Sequence, residues 1–396
     1  MKKSLFILAT AALVFASCNN DVKIDENKTL DDANEISFQP EVKYPRRASA
    51  TTIANFTTTN GFYVGAWNNS DHTSYFEDTE FKKDGETSNY RSDTKHYWPA
   101  TGNLDFVGFY PNKDNTNGPL KHLAWNTFTF EPAATVASHV DYVIAATLNQ
   151  SKAGSASGVP LAFKHLGSWI VVKAYNSMNT AAGNLTTTVS GWKIGYIYNG
   201  GVYTISSSTA SGSALSSTGS WSYATYARAT DNVPFAYRST SDAAAITPTT
   251  SATATQLGDA IIVPQAIATP ALSSASTYGT NGFLTGAFIA VKLLIQDKAA
   301  SPNTIADATG VKNISSTDYD LWAIWPITNN FEDGKKYTYT IDLSQGGYKE
   351  IGTASETLEP WLAGSEIFFS NVEVTAWTDF DGDNVTEGTQ PIDVNM

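Results

Sequence analysis

"NEISFQPEVKYPRRASATT", residues 34–52, decides how this chain is read. Ile36, Phe38, Pro40, Val42 and Tyr44 fall on one face of an extended segment, and Ser37, Gln39, Glu41 and Lys43 on the other. Successive side chains of a strand point to opposite faces, so this alternation predicts a half-buried β-strand over 36–44. Pro40 has no N–H for a ladder hydrogen bond, which predicts an edge position. Arg46 and Arg47 follow directly, a basic pair that a trypsin-like protease would cut. The combination predicts an edge strand that cleavage can detach.

Upstream, Lys2 and Lys3 precede an apolar run over 5–16, too short to stay in a bilayer as an anchor. Residues 1–17 therefore read as a secretory signal peptide. The run ends in "FASC", whose Cys18 is the single cysteine of the chain. This resembles a bacterial lipobox, with Phe15 where Leu or Val is usual, and implies lipidation (palmitate included) at Cys18. One cysteine excludes an intrachain disulfide framework, so packed cores must supply the stability. Residues 19–35 are polar and acid-rich and read as a tether.

The chain has 396 residues, a formal charge of −13, 16% charged and 42% hydrophobic residues. No basic stripe appears, which excludes nucleic acid as partner. Abundant Thr, Tyr and Trp, with Gly, Asn and Ser for turns, suit β-sandwiches. Strand-like stretches recur at 61–67, 94–98, 104–110, 126–130, 141–147 and 159–176, the last broken near Gly167. A second series lies at 189–198, 201–205, 259–265, 286–295, 321–327, 335–343 and 367–377. Residues 176–184 carry no periodicity and mark a domain junction. The expected fold is all-β, two sandwiches in tandem: residues 48–178 and 185–378, preceded by a propeptide 18–47 and followed by a tail 379–396. In that tail Ile392, Val394 and Met396 again alternate with Asp393 and Asn395.

"HYWPATGNLDFVGFYP" (96–111), "DYVIAATLNQ" (141–150), "VPLAFKHLGSWIVVKAYN" (159–176), "IIVPQ" (261–265) and "KKYTYTIDL" (335–343) together resemble the Bacteroidales fimbrillins, the Mfa-like major and minor pilins of type V pili. The resemblance implies transthyretin-like sandwiches and makes Trp98, Pro99, Phe106, Tyr110, Pro111, Phe163 and His165 fold determinants. It implies an outer-membrane lipoprotein precursor in a Gram-negative bacterium, held to the bilayer by the Cys18 lipid before cleavage. An Arg-specific surface protease would cut after Arg46 or Arg47, leaving Ala48 as the preferred new N-terminus. The strand carrying Ile36, Phe38, Val42 and Tyr44 would leave. Donor-strand exchange would refill its groove with the Ile392, Val394 and Met396 segment of another pilin. The implied partners are further copies and tip or anchor pilins in a surface fimbrium that supports adhesion.

Other chemistries find little support in the residues. "SDTK" (92–95) fits Ser-x-x-Lys, but its partner motifs are absent. His72, His96, His122, His139 and His165 lack metal-ligand spacing, and His165 between Phe163 and Leu166 reads as a structural histidine. Asp379, Asp381 and Asp383 alternate, yet Asn384 and Gln390 stand where a calcium loop needs Gly and Glu. The expectation is no metal, no cofactor and no enzyme. The alternative is a surface glycan-binding lipoprotein that uses the ten Trp and 19 Tyr as platforms, "WNNSDHTSYF" (67–76) among them.

Overall fold

A computed structural model gives the structure of the protein. It describes residues 34–42, 56–85, 89–111, 119–133, 138–177, 185–206, 219–226, 244–246, 253–267, 286–297, 304–307, 310–313, 322–343, 348–349, 371–376 and 384–385. The described chain is nearly all strand, with one short 3-10 turn at Ala153–Ser155. In order come β1 (Phe38–Val42), β2 (Phe62–Asn68), β3 (Ser74–Lys83), β4 (Tyr90–Arg91), β5 (Leu104–Tyr110), β6 (Leu120–Ala124), β7 (Thr127–Phe130) and β8 (His139–Val140). Next are β9 (Val143–Gln150), β10 (Val159–His165), β11 (Ser168–Tyr175), β12 (Leu185–Gly195), β13 (Gly201–Ile205), β14 (Gly219–Ser222), β15 (Ala244–Ile246) and β16 (Thr255–Ile262). The last are β17 (Phe288–Asp297), β18 (Thr304–Asp307), β19 (Gly310–Asn313), β20 (Trp322–Pro326), β21 (Lys335–Asp342), β22 (Tyr348–Lys349), β23 (Asn371–Ala376) and β24 (Asn384–Val385).

Seven strands close on themselves in the order β1-β10-β9-β5-β2-β3-β4. A second sheet runs β16-β11-β21-β23, a third β15-β12-β17-β20-β22 and a fourth β14-β13-β7-β6. The edge position expected for β1 from Pro40 holds only in part. β1 is parallel to β10 along its whole length, and it also meets β4, through Phe38 and Tyr90 alone. Because β4 is only two residues long, Pro40 lies beyond the two-sided stretch, where its missing N–H leaves that second ladder intact.

Three apolar cores stack through the molecule. Ile36, Phe38, Phe62, Phe81, Phe106, Leu161 and Phe163 fill the barrel. Val107, Phe109, Ile144 and Ala146 point out of it into a second core with Phe128, Phe130, Trp169, Val171 and Tyr203. Ile170, Val172 and Ala174, on the other face of β11, enter a third with Trp192, Ile289, Trp325 and Tyr339. β5 and β11 thus bury both faces, which explains why "LDFVGFY" and "WIVVKAY" are near-continuous apolar runs rather than alternating ones.

Pairing runs across the expected junction at 176–184 in both directions. β11 lies before it, yet pairs antiparallel with β16 and parallel with β21, both beyond it. β13 lies after it, yet pairs with β7. The chain changes from barrel to second sheet at Gly167 instead. A Cβ there would approach Ile261 Cγ2 to 2.6 Å, and the Gly167 carbonyl accepts from Gly334 N–H at 3.0 Å. Of the expected strands, 94–98 contributes only a bridge from Tyr97 to Glu35, and 126–130 sits in the fourth sheet. The Ser/Thr-rich stretches 206–222 and 239–256 include β14, β15 and the start of β16.

His139 ties β8 to β16. Its Nδ1 accepts from Ile261 N–H at 3.0 Å, so its Nε2–H donates to the Ala133 carbonyl at 2.9 Å. Burial pushes its pKa from 6.5 down to about 4. Protonation would aim a second hydrogen at the Ile261 N–H. The unfolded chain takes up this proton first as pH falls, so the stabilisation is present above pH 6.5 and is lost on the way to pH 4. The expected loss is about 3 kcal/mol by pH 4. Urea midpoints at pH 7 and pH 4.5 check this, with His139→Asn expected to show a flatter pH dependence than the parent.

Candidate functional site: the seat of the N-terminal strand

β1 is laid into its seat from its first residues onward. Trp98 N–H donates to the Asn34 carbonyl at 2.9 Å, and Ile36 N–H to the His96 carbonyl at 2.7 Å. Val159 N–H then donates to the Ser37 carbonyl at 2.8 Å and starts the parallel ladder. Phe38 faces Val159, Pro40 faces Leu161 and Val42 faces Phe163 in register. On the outer side Gln39 Nε2 donates to Asn89 Oδ1 at 3.2 Å, and the Lys152 ammonium meets Asn34 Oδ1. Gly158 makes the turn into β10 at φ +107°, a conformation other residues rarely adopt, with Gln39 packed beside it.

The alternation seen in the sequence is realised in space. Ile36, Phe38 and Pro40 are buried, while Ser37 and Gln39 are half-buried. Phe38 is fully enclosed, its ring set edge-on to Phe81 at 4.6 Å, Phe106 at 5.2 Å and Phe62 at 6.2 Å between centroids. Such edge-to-face pairs add about 0.5–1.5 kcal/mol each beyond area burial. Phe56, the first described residue after β1, packs into the same core against Phe62, Tyr110 and Phe163. Residues 43–55 therefore connect two segments that share one core.

Charge fixes the entry. Glu35 is buried with its side chain 2% exposed. Its Oε2 lies 2.7 Å from Arg91 Nη1 and 3.5 Å from Lys95 Nζ, and Arg91 Nε holds Asp84 Oδ2 at 3.2 Å. Sequence reasoning missed this carboxylate. It shares the parity of Ser37 and Gln39, and only the fold brings Arg91 and Lys95 beside it.

Among the sequence-predicted residues, Ile36 and Phe38 lie in the barrel core, and Val42 closes β1 opposite Phe163. Cys18, Tyr44, Arg46, Arg47, Ala48, Ile392, Val394 and Met396 lie outside the described residues, as do Asp379, Asp381 and Asp383. Phe106, Tyr110 and Phe163 belong to the barrel core, and Trp98 packs against it. His165 is buried with Nδ1 2.8 Å from Asp141 Oδ1, and burial raises the Asp141 carboxyl. His122 lies between Asp78, 2.9 Å away, and the Phe128 ring. Among the described residues no group of three or more His, Cys, Asp or Glu could hold a metal ion. In the stretch 67–76, expected as a glycan platform, His72 stacks on Trp125 at 3.8 Å and Trp67 meets His122 edge-on at 5.2 Å. Tyr75 and Tyr97 are the exposed aromatic side chains among the described residues.

Truncating Phe38 empties a site closed on all sides. Phe38→Ala is expected to destabilise the intact chain by about 3–5 kcal/mol in urea unfolding. Ser37→Ala, on the opposite parity, is expected to stay within about 0.5 kcal/mol. Equal effects from the two would contradict the seating.

The family model described as fimbrillin-like matches residues 47–361. Among solved structures, the chain is similar to a fimbrial protein from Bacteroides vulgatus at 13% identity and a TM-score of 0.47, covering 87% of this chain and 100% of that one. It is also similar to a candidate cell adhesion protein from Bacteroides uniformis, at 14% identity and a TM-score of 0.38, over 89% and 100% of the two chains. A candidate polysaccharide binding protein from Bacteroides thetaiotaomicron follows at 8% identity and 0.30, over 87% and 96%. No curated protein matches the chain. The family match extends over most of the sequence and begins at Arg47, just past the strand seated in the barrel: the chain belongs to the fimbrillin-like family.

Proposed function

We propose that this chain is a structural pilin subunit of an adhesive cell-surface fimbrium, exported as an outer-membrane lipoprotein through Cys18 and activated by removal of β1. The observation that carries the reading is the seat itself: a strand whose apolar face helps form the barrel core is followed within a few residues by Arg46 and Arg47. An Arg-specific surface protease would cut there, with Arg47–Ala48 the favoured bond.

The energetics explain why a cut is needed. Burying one large apolar side chain contributes ~1.5–3 kcal/mol, so Ile36 and Phe38 together supply roughly 3–6 kcal/mol before the ladder to β10 is counted. While tethered, β1 acts at an effective concentration of roughly millimolar or more. A strand from another molecule is far more dilute and cannot displace it. Cleavage removes that advantage, and strand addition to the open edge of β10 becomes competitive. The incoming strand in this reading is the segment with Ile392, Val394 and Met396 from a neighbouring subunit. Assembly is then silent until the protein reaches the surface.

Treatment of the purified precursor with an Arg-specific protease is expected to yield a chain beginning at Ala48 and to convert monomer into oligomer by size exclusion. Deletion of residues 391–396 is expected to abolish the oligomer without changing the cut. A trimmed chain that stays monomeric at high concentration contradicts the reading.

A further inference from the structure

Glu35 is a carboxylate that β1 carries into the protein, and its surroundings form a receptor. Arg91 reaches it from β4 and Lys95 from the stretch that follows; Asp84 occupies the other side of the guanidinium, its own side chain 49% exposed. A buried charge is tolerated only when paired. Once β1 departs, Arg91, still held by Asp84, and Lys95 border a seat from which Glu35 has gone. A strand that replaces β1 is therefore favoured when it supplies a carboxylate at the same step.

The position of that step is defined. Glu35 stands immediately before Ile36, and the order Glu35-Ile36-Ser37-Phe38 is acid, aliphatic, small polar, large apolar. Within the sequence, an Asp or Glu followed by Val, Ile, Leu or Met, then Ser, Thr or Asn, then Phe, Tyr, Trp, Leu or Met recurs once. That recurrence is Asp393-Val394-Asn395-Met396. We infer that Arg91 and Lys95 form a carboxylate-reading site that sets the register of the incoming strand, with Asp393 of a second copy taking the place of Glu35. The inference rests on the proposed exchange of β1.

In this register Val394 enters the Ile36 site and Met396 the site of Phe38, opposite Val159 at the start of β10. Met396 would then lie among Phe62, Phe81 and Phe106, where a flexible thioether adapts to a space shaped for a ring and gains contact with the aromatic edges. Asn395 takes the half-buried place of Ser37. Ile392 falls at the exposed position of Asn34, so the apolar frame of the tail is entered at Val394.

The test uses the full chain with Cys18→Ser and a sequence-specific protease site replacing residues 43–49, so that the cut is independent of Arg46 and Arg47. After cutting, labelled synthetic peptides of residues 388–396, native or carrying Asp393→Asn, compete for the seat. The native peptide is expected to bind about 10- to 100-fold more tightly, the loss typical of a charge-assisted hydrogen bond. In an Arg91→Gln chain, shown by its melting curve to be folded before the cut, the two peptides should bind alike. Glu35→Gln in the parent should speed release of the cut β1 fragment by a similar factor. Equal binding of the two peptides to the unaltered seat, or entry of neither, overturns the inference. Size exclusion of the cut chain separates the two readings. An oligomer with equal peptide binding removes only the carboxylate site, whereas a persistent monomer that neither peptide enters removes strand exchange as well.

Discussion

The structure depends on one seated side chain. Phe38 enters the barrel from a strand that the chain contributes before any of the other barrel strands, and it meets three phenylalanines edge-on at once. The strand beneath it closes a seven-stranded ring by joining β10 on one side and β4 on the other. Without it, β10 presents an unpaired edge and the barrel core an open slot. Unpaired edges recruit other strands, which is why proteins ordinarily cover them. Here the cover is a segment whose outgoing connection carries two arginines.

The rest of the molecule is arranged so that this slot can open without general collapse. The core beside the barrel is built from the outward faces of β5 and β9, together with Trp169, Phe128 and Tyr203. The third core, beyond β11, contains no residue of β1. Ile36 and Phe38 belong to the barrel core alone. Loss of β1 therefore removes contacts from one of three cores, while the parallel pairing of β11 with β21 anchors the barrel side to the far sheets. Interactions confined to one cooperative unit can be lost without unfolding the others.

How much of this could be read from sequence follows from the kind of signal each element carries. The period-2 alternation of Ile36, Phe38 and Pro40 was legible because one face is buried and the other is not. β5 and β11 were legible as apolar runs, although their double-sided burial was not. β3 escaped notice: in "SYFEDTEFKK" only Phe76 and Phe81 are buried, five residues apart, and register shifts in its pairing with β2 break the alternation. The choice of partners was also hidden. Nothing local in "KKYTYTIDL" says that it lies parallel to β11, or in "NTFTF" that it pairs with β13. Glu35 was invisible for the same reason, since a buried acid is recognised only when its cations arrive from elsewhere in the chain.

Backbone hydrogen exchange of β10 tests the central claim most directly, read in the intact chain, after the cut strand has been removed, and after assembly. The account predicts strong protection in the first state at Val159, Leu161 and Phe163, whose N–H groups lie on the β1 side of the parallel ladder, loss of it in the second, and its return in the third at Val159, opposite Met396 of the incoming tail. Residues 168–175 should stay protected throughout. Continued protection of Val159, Leu161 and Phe163 once the strand has been physically separated would contradict the account, because the barrel would then close without it.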